Sequence, residues 1–309
     1  MESASDSDYF SELAMIRFDG KVVIVTGAGG GLGRCHSLYF ASLGAKVVVN
    51  DIGGPDGISV NAQNVAAEIT AAGGEAIAVA ASVSDEASVA AMVATVMEKW
   101  GRVDVLVANA GILRDKSFGK METREFNDVV NVHLFGSYVC IKAVWDIMKA
   151  QNYGRIVVTT SSTGLYGNFG QANYGAAKLA LVGLMNTLKI EGAKNNIKVN
   201  AIAPVAATQM TKDLMPQAVL DKFDPELVSP AVAYMSADDA PTGVIMAAGA
   251  GTFAVAQIIE TQGHFINSES VSVDDIAANW DKISDRTGAK PYQQGGEQGQ
   301  NFIMKGMGG

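Results

Sequence analysis

Cysteine is nearly missing from this chain: its 309 residues hold only Cys35 and Cys140. Both lie in apolar helical patterns, so neither a disulfide framework nor a thiolate metal site can be assembled, and buried structural thiols are expected. Histidine is as scarce, and His36, His133 and His264 stand at no ligand spacing to one another, so no metal is expected. Positive charge is also short, with 23 Lys and Arg against 32 Asp and Glu, a net charge of -9. No basic cluster reverses that balance locally, which excludes a nucleic-acid partner. No apolar run is long enough to span a bilayer. The segment MESASDSDYFSELAMIRF carries acids where a signal peptide carries bases. Met307-Gly308-Gly309 is not a peroxisomal address of the Ser-Lys-Leu type. A soluble protein of a reducing compartment is expected, cytoplasmic and bacterial rather than peroxisomal.

Apolar residues make up 48% of the chain, enough for one large core. From Lys21 onward, short β-branched runs alternate with Ala-rich helical stretches, the pattern of repeated βα units around a parallel sheet. The strand runs are Val22–Thr26, Lys46–Asn50, Ala76–Ala80, Val103–Asn109, Arg155–Thr160, Ile197–Ala203 and Val244–Ala248. Continuous apolar runs of this kind imply strands covered on both faces. Helices are expected at Ser59–Ala72, Asp85–Trp100, Phe126–Ala150 and Tyr174–Lys194. The fold class is therefore α/β, with residues 1–18 as an N-terminal arm, 19–267 as one domain and 268–309 as a C-terminal extension. Within the domain, residues 204–230 break the rhythm and read as a covering substrate loop carrying Met210, Leu214, Met215 and Phe223. Ser272-Val-Asp-Asp275 reads as a capping box opening a helix, and the Gly/Gln-rich stretch 293–309 as flexible.

The segment Thr26-Gly-Ala-Gly-Gly-Gly-Leu-Gly33 follows the first strand and opens a helix, the setting in which a glycine-rich loop is meaningful. Gly27 suits the sharp turn, Gly31 the close approach of a pyrophosphate, and Gly33 tight packing of helix on strand, with Leu32 between them. Asp51 ends the second strand, where a carboxylate can accept from both adenosine ribose hydroxyls and repel a 2′-phosphate. It can also simply begin the turn Asp51-Ile-Gly-Gly54. No Arg or Lys follows within a few positions, which favours NAD (NADH) over NADP.

Tyr174-Gly-Ala-Ala-Lys178 places a phenol and an ammonium four residues apart on one helix face, where the charge is expected to lower the phenol's pKa. Such a phenol can exchange a proton opposite a hydride transfer. Ser161 lies at the end of the preceding strand, where open α/β sheets hold ligands, and its hydroxyl can hold a substrate oxygen. Ser162 and Thr163 compete for that role. In Asn109-Ala110-Gly111, Asn109 can bond backbone across the sheet and Gly111 can make room for a cofactor. Asn131 falls inside a helix, where an amide costs stability unless it bonds something specific. Neighbouring His133 reads as a packed or solvated imidazole rather than a catalyst.

Taken in order, Thr26-Gly27 with Gly31 and Gly33, Ala108-Asn-Ala-Gly111, Asn131, Ser161, and Tyr174 with Lys178 resemble the short-chain dehydrogenase/reductase superfamily. The resemblance covers roughly residues 20–250. It implies a doubly wound Rossmann sheet of about seven parallel strands. It also implies that Tyr174 is the general acid/base, that Lys178 lowers its pKa and binds the nicotinamide ribose, and that Ser161 orients the substrate oxygen. Asn131 would help a proton relay. Gly27, Gly31, Leu32, Gly33, Asp51, Asn109, Ala110, Gly111, Tyr174, Lys178 and Pro204 would surround the cofactor. The chain departs from the family pattern at Ala108-Asn109, at Ser82 and at Pro204-Val205.

Within the superfamily, Val48–Gly54, Gly111–Asp115, Gln151–Arg155, Tyr166–Tyr174, Glu191–Ile197 and Asn279–Ile283 most resemble the (3R)-hydroxyacyl-CoA dehydrogenase part of the peroxisomal multifunctional β-oxidation enzymes of type 2, which are 17-beta-hydroxysteroid dehydrogenase type 4-like. That resemblance implies a 3-hydroxyacyl-CoA substrate and a homodimer or homotetramer. Arg114, Lys116 and Lys120 are the basic residues available to CoA phosphates, with a solvated loop face as the equal alternative. The rival readings are a hydroxysteroid or sterol-side-chain-CoA dehydrogenase, and a non-catalytic cofactor-binding or interaction protein.

Overall fold

The computed structural model describes residues 16–206, 222–268 and 270–307. Met210, Leu214 and Met215 of the expected substrate loop lie outside the described residues, as does most of the expected N-terminal arm. The chain divides into two compact units, Met1–Ala254 and Val255–Gly309, a break earlier than the 267/268 boundary read from the sequence.

The first unit is built on the β-branched runs. They form β1 (Val22–Thr26), β2 (Lys46–Asp51), β3 (Glu75–Ala80), β4 (Val105–Ala108), β5 (Gly154–Thr159), β6 (Ile197–Pro204) and β7 (Ile245–Gly249). With β8 (Thr252–Ala256) they make an eight-stranded sheet in the order β3-β2-β1-β4-β5-β6-β7-β8. Every pairing from β3 through to β7 is parallel. The central strands are covered on both faces: Val22, Val23, Ile24, Val25, Leu106, Val107, Ile156 and Val157 are fully buried. Each such side chain contributes roughly 1.5–3 kcal/mol over an exposed one.

β8 was not legible in the sequence. It follows β7 through Ala250 and Gly251, both at positive φ (49° and 72°), which is the geometry of a two-residue hairpin turn. Ala-Gly lacks the Asn or Asp that usually marks such a turn, and most of the strand is exposed, so no apolar run announces it.

Between the strands lie α1 (Gly31–Ser42), α2 (Val60–Ala71), α3 (Glu86–Trp100), α4 (Thr123–Val130), α5 (Gly136–Gln151), α6 (Ser162–Tyr166), α7 (Ala172–Gly192) and α8 (Ser229–Tyr234). Ser59 caps α2 through Ala62 N, and Asp85 caps α3 through Ser88 N. The single helix expected from Phe126 is instead α4 and α5 joined by a π-helical turn at Asn131–Phe135. Such an inserted turn commonly marks a functional position.

Because β1 runs on to β2 and β3 at one side while β4 lies at its other side, the strand order reverses between β1 and β4. Loops leaving their carboxyl ends in opposite directions open a crevice there.

In the second unit, Ser272 and Asp275 form the expected capping box at helix Val273–Ala278. Residues Gly295–Gly306 are helical, which corrects the expectation of a flexible stretch. Composition misled here: Gly295, Gly296 and Gly299 sit in open space, and Glu297 in the first turn and Lys305 in the last both favour the helix dipole.

Candidate active site

A cleft of about 780 Å³ opens at the β1/β4 crevice. Gly27, Gly31, Leu32, Asp51, Asn109, Ala110, Gly111, Ser161, Tyr174, Lys178 and Pro204 all line it. Gly33 does not line it but is buried behind it. A Cβ there would collide with the Gly27 carbonyl and come within 2.8 Å of Asn109 Nδ2, so only glycine lets α1 start this close to the strand ends.

Gly27 has φ +62°, and a Cβ on it would lie 2.7 Å from Ala110 Cα, so the loop after β1 presses against the loop after β4. Asn109 fastens the two, donating from Nδ2 to Thr26 O (3.0 Å) and Gly27 O (3.2 Å). Thr26 Oγ1 accepts from the backbone N–H of Asn109 (3.0 Å) and Ala110 (3.1 Å). Asn109 thus shapes the cradle with its side-chain donors already engaged.

The amino end of α1 points its free N–H groups into the crevice. Gly30 supplies no side-chain cap, and no acidic residue stands in the first turn. That combination suits an anionic ligand group. Gly29 N donates to Asp51 Oδ2 at 2.7 Å, and a Cβ on Gly29 would lie 2.5 Å from the same oxygen. Asp51 Oδ1 accepts from Ile52 N at 2.7 Å, which fixes the carboxylate at the cleft's rim. Lys178 is the one Lys or Arg among the described lining residues, so nothing beside Asp51 would neutralise a further phosphate.

At the other end of the cleft, Ser161 follows β5, its Oγ accepting from Thr163 N at 3.1 Å as the cap of α6. Gly164 lets α6 pack on α7, since a Cβ there would lie 2.8 Å from Lys178 Cβ. Thr160 Oγ1 donates to Lys178 O at 2.7 Å, and Lys178 Nζ donates to Thr159 O at 2.5 Å. Burial lowers the Lys178 pKa to about 7.

The expected lowering of the Tyr174 pKa is not what the surroundings give. Burial raises it, hydrogen bonding to Ser161 works against that, and the Asp115 charge adds to the rise. The ammonium does not offset burial, because Lys178 Nζ is committed to Thr159 O, lies 5.5 Å from the phenol's ring centroid and is itself driven toward neutrality. Tyr174 therefore holds its proton at neutral pH and can donate it to an oxygen shared with Ser161.

Asn131 is exposed and takes no part in the cleft lining, which corrects its place in the expected site. The residue turned inward by the π-helical segment is His133. It is buried, lines the cleft, and meets the Tyr174 ring edge-on at 5.2 Å between centroids. Its Nε2 lies 2.8 Å from Ile112 O, and its Nδ1 has no partner among the described residues. Burial first, and then the Lys178 charge, lower its pKa to about 3, so the ring is neutral. Gly111 makes room for that ring: a Cβ would overlap it.

Thr26, named in the motif, is buried behind the cleft rather than lining it. Two residues of the cleft escaped the sequence reading. Asn168 and Gln171 lay in a loop whose polar residues look solvated, yet both line the cleft. Of the basic residues offered to CoA phosphates, Lys116 is engaged with Glu125 at 2.6 Å and Arg114 with its neighbour Leu113 O at 2.8 Å. Among the described residues no group of three or more His, Cys, Asp or Glu is arranged to hold a metal ion, and no helix is long and apolar enough to cross a membrane.

Comparison with known proteins agrees with this geometry. Residues 21–218 match the family model described as short chain dehydrogenase. The short-chain type dehydrogenase/reductase Rv0148 of Mycobacterium tuberculosis is 48% identical over 275 residues, covering 87% of this chain and 96% of that protein. The peroxisomal multifunctional enzyme type 2 of Drosophila melanogaster is 44% identical over 285 residues, 89% of this chain but only 47% of that enzyme. The solved structure of the full-length Drosophila enzyme superposes with a TM-score of 0.79 at 38% identity, over 94% of this chain and 50% of that one. The structure of a 7α-hydroxysteroid dehydrogenase complexed with NADH and 7-oxo glycochenodeoxycholic acid gives 0.69 at 29% identity, over 76% and 95%. This chain belongs to the short-chain dehydrogenase family and is an oxidoreductase acting on CH–OH groups.

Proposed function

We propose that the enzyme interconverts a (3R)-hydroxyacyl-CoA and its 3-ketone with NAD as the partner, in a β-oxidation type of reaction. The observation that carries this is the joining, in one cleft, of an uncapped helix end beside Asp51 with the cluster of Ser161, Tyr174 and Lys178. The substrate class is supported by similarity to the multifunctional enzymes, of which the chain spans less than half in the Drosophila case.

The dinucleotide fits the cradle: its pyrophosphate takes the N–H groups at the start of α1, and Asp51 takes the adenosine ribose hydroxyls. Asp51, with no lining cation near it, favours NAD over NADP. A bound nicotinamide supplies or accepts the hydride. Tyr174 exchanges the proton of the substrate oxygen, Ser161 holds that oxygen, and Lys178 binds the nicotinamide ribose. In this reading Gly27, Gly31, Leu32, Asn109, Ala110, Gly111 and Pro204 shape the cofactor walls, while Gly33 holds that shape from behind. Residues 19–267 form the catalytic domain, residues 268–309 its extension, and the working unit is a homodimer or homotetramer.

A bulky hydroxysteroid is the second reading, favoured by the likeness to the 7α-hydroxysteroid dehydrogenase. The test is NADH absorbance with (3R)- and (3S)-hydroxyacyl-CoAs and hydroxysteroids, each with NAD and with NADP. Turnover confined to the (3R) series with NAD supports the proposal; turnover of steroids alone replaces it.

A further inference from the structure

Resting on that reading, we infer that Gln171 is a specificity-determining residue: its amide donates a hydrogen bond to the thioester carbonyl, the second oxygen of a 3-hydroxyacyl substrate. Gln171 stands at the amino end of α7 without capping it through its side chain, is buried and lines the cleft. Its Oε1 accepts from Thr163 Oγ1 at 2.9 Å and from Asn168 Nδ2 at 3.1 Å, which uses both lone pairs. Its Nε2 donates to Asp115 Oδ2 at 2.7 Å.

The carboxylate decides the orientation. Flipping the amide would set Oε1 against Asp115 and the amide hydrogens against the Asn168 donor, so Asp115 holds the group one way round. The second N–H of Nε2 has no partner among the described residues. Gln171 therefore offers the cleft a proton and no lone pair, and its complement is an acceptor oxygen.

Position ties this donor to the reaction centre. Thr163, which holds Gln171 Oε1, also donates its backbone N–H to Ser161 Oγ at 3.1 Å. A substrate whose reacting oxygen rests on Ser161 and Tyr174 then carries any second carbonyl past Gln171. In a 3-hydroxyacyl thioester that carbonyl stands two bonds from the reacting carbon. A substrate without it leaves a buried N–H unpaired, and sites of that kind discriminate strongly.

The test compares two ligands on the full chain with NADH bound: a (3R)-hydroxyacyl-CoA, and its thioether analogue in which the thioester C=O is CH₂. Wild type is expected to bind the thioester about 10–100-fold more tightly, and Gln171→Met to lose most of that ratio. Asp115→Asn, which removes the charge that orients the amide, is expected to narrow the ratio without removing the glutamine, and so reads the same point if Gln171→Met misfolds. A ratio unchanged in both variants overturns the role of Gln171 while leaving the proposed reaction standing. Wild-type failure to bind or turn over any (3R)-hydroxyacyl-CoA overturns both.

Discussion

The ring of His133 stands perpendicular to that of Tyr174, at 88° and 5.2 Å between centroids, with Gly111 giving it space and Ile112 holding its Nε2. An edge-to-face pair contributes about 0.5–1.5 kcal/mol beyond area burial, enough to settle the phenol in one orientation. His133→Gln, which can keep the bond to Ile112 but not the ring contact, is expected to lower kcat about tenfold with little change in NADH affinity. Asn131→Ala should leave kcat within about twofold, as exposed substitutions usually do. Steady-state kinetics on the two variants checks both, and a large loss with Asn131→Ala alone would reverse the assignment.

Asp51 offers a carboxylate fixed by Gly29 N and Ile52 N. Charge-assisted hydrogen bonds are each worth about 1.5–3 kcal/mol. Asp51→Ala is therefore expected to weaken NAD binding about 10–100-fold while NADP binding holds or improves, read by titrating each dinucleotide. Equal losses for both would remove Asp51 from cofactor choice.

Lys178 loses protons near pH 7 in the folded chain and near 10.4 when unfolded. Between those values the unfolded chain binds the extra proton, so this group's contribution to stability falls as pH drops from about 10.4 to about 7 and is constant below. Lys178→Met is expected to abolish turnover yet raise Tm at pH 7, with the difference from wild type shrinking toward pH 10. A Tm difference independent of pH would contradict the buried charge.

His36 and His133 both have pKa values lowered by burial to about 3. Unfolded histidines take up protons near 6.5, so stability is full above that pH and is lost as pH falls from about 6.5 toward 3. His36→Asn can keep the bond to Ser229 Oγ, and combined with His133→Gln it is expected to flatten the fall in Tm between pH 6.5 and 4. An unchanged slope would place the acid-sensitive groups elsewhere.

The strands of the parallel sheet were legible because burial on both faces demands unbroken β-branched runs such as Val22–Thr26 and Lys46–Asp51. The cradle was legible for a similar reason: at Gly27 and Gly33 the backbone leaves no room for a Cβ, and glycine is visible in a sequence. The packing of His133 was legible, but its place beside Tyr174 and the outward turn of Asn131 were not, because regular helical spacing fails across a π-helical turn. Gln171 was missed because its role depends on Asp115, Thr163 and Asn168, brought together only by folding. The sign of the Tyr174 shift was likewise invisible, since four-residue spacing to Lys178 reveals nothing of how deeply either group is buried.

The most direct test of the account is Tyr174→Phe, assayed for NADH formation from a (3R)-hydroxyacyl-CoA and, in parallel, for NADH binding by fluorescence titration. Loss of the proton-exchanging phenol should cut turnover by about 10²–10⁴-fold while the NADH dissociation constant stays within about threefold, since the proposed dinucleotide cradle lies at the β1/β4 end of the cleft. Near-normal turnover in the variant would contradict Tyr174 as the group that carries the proton.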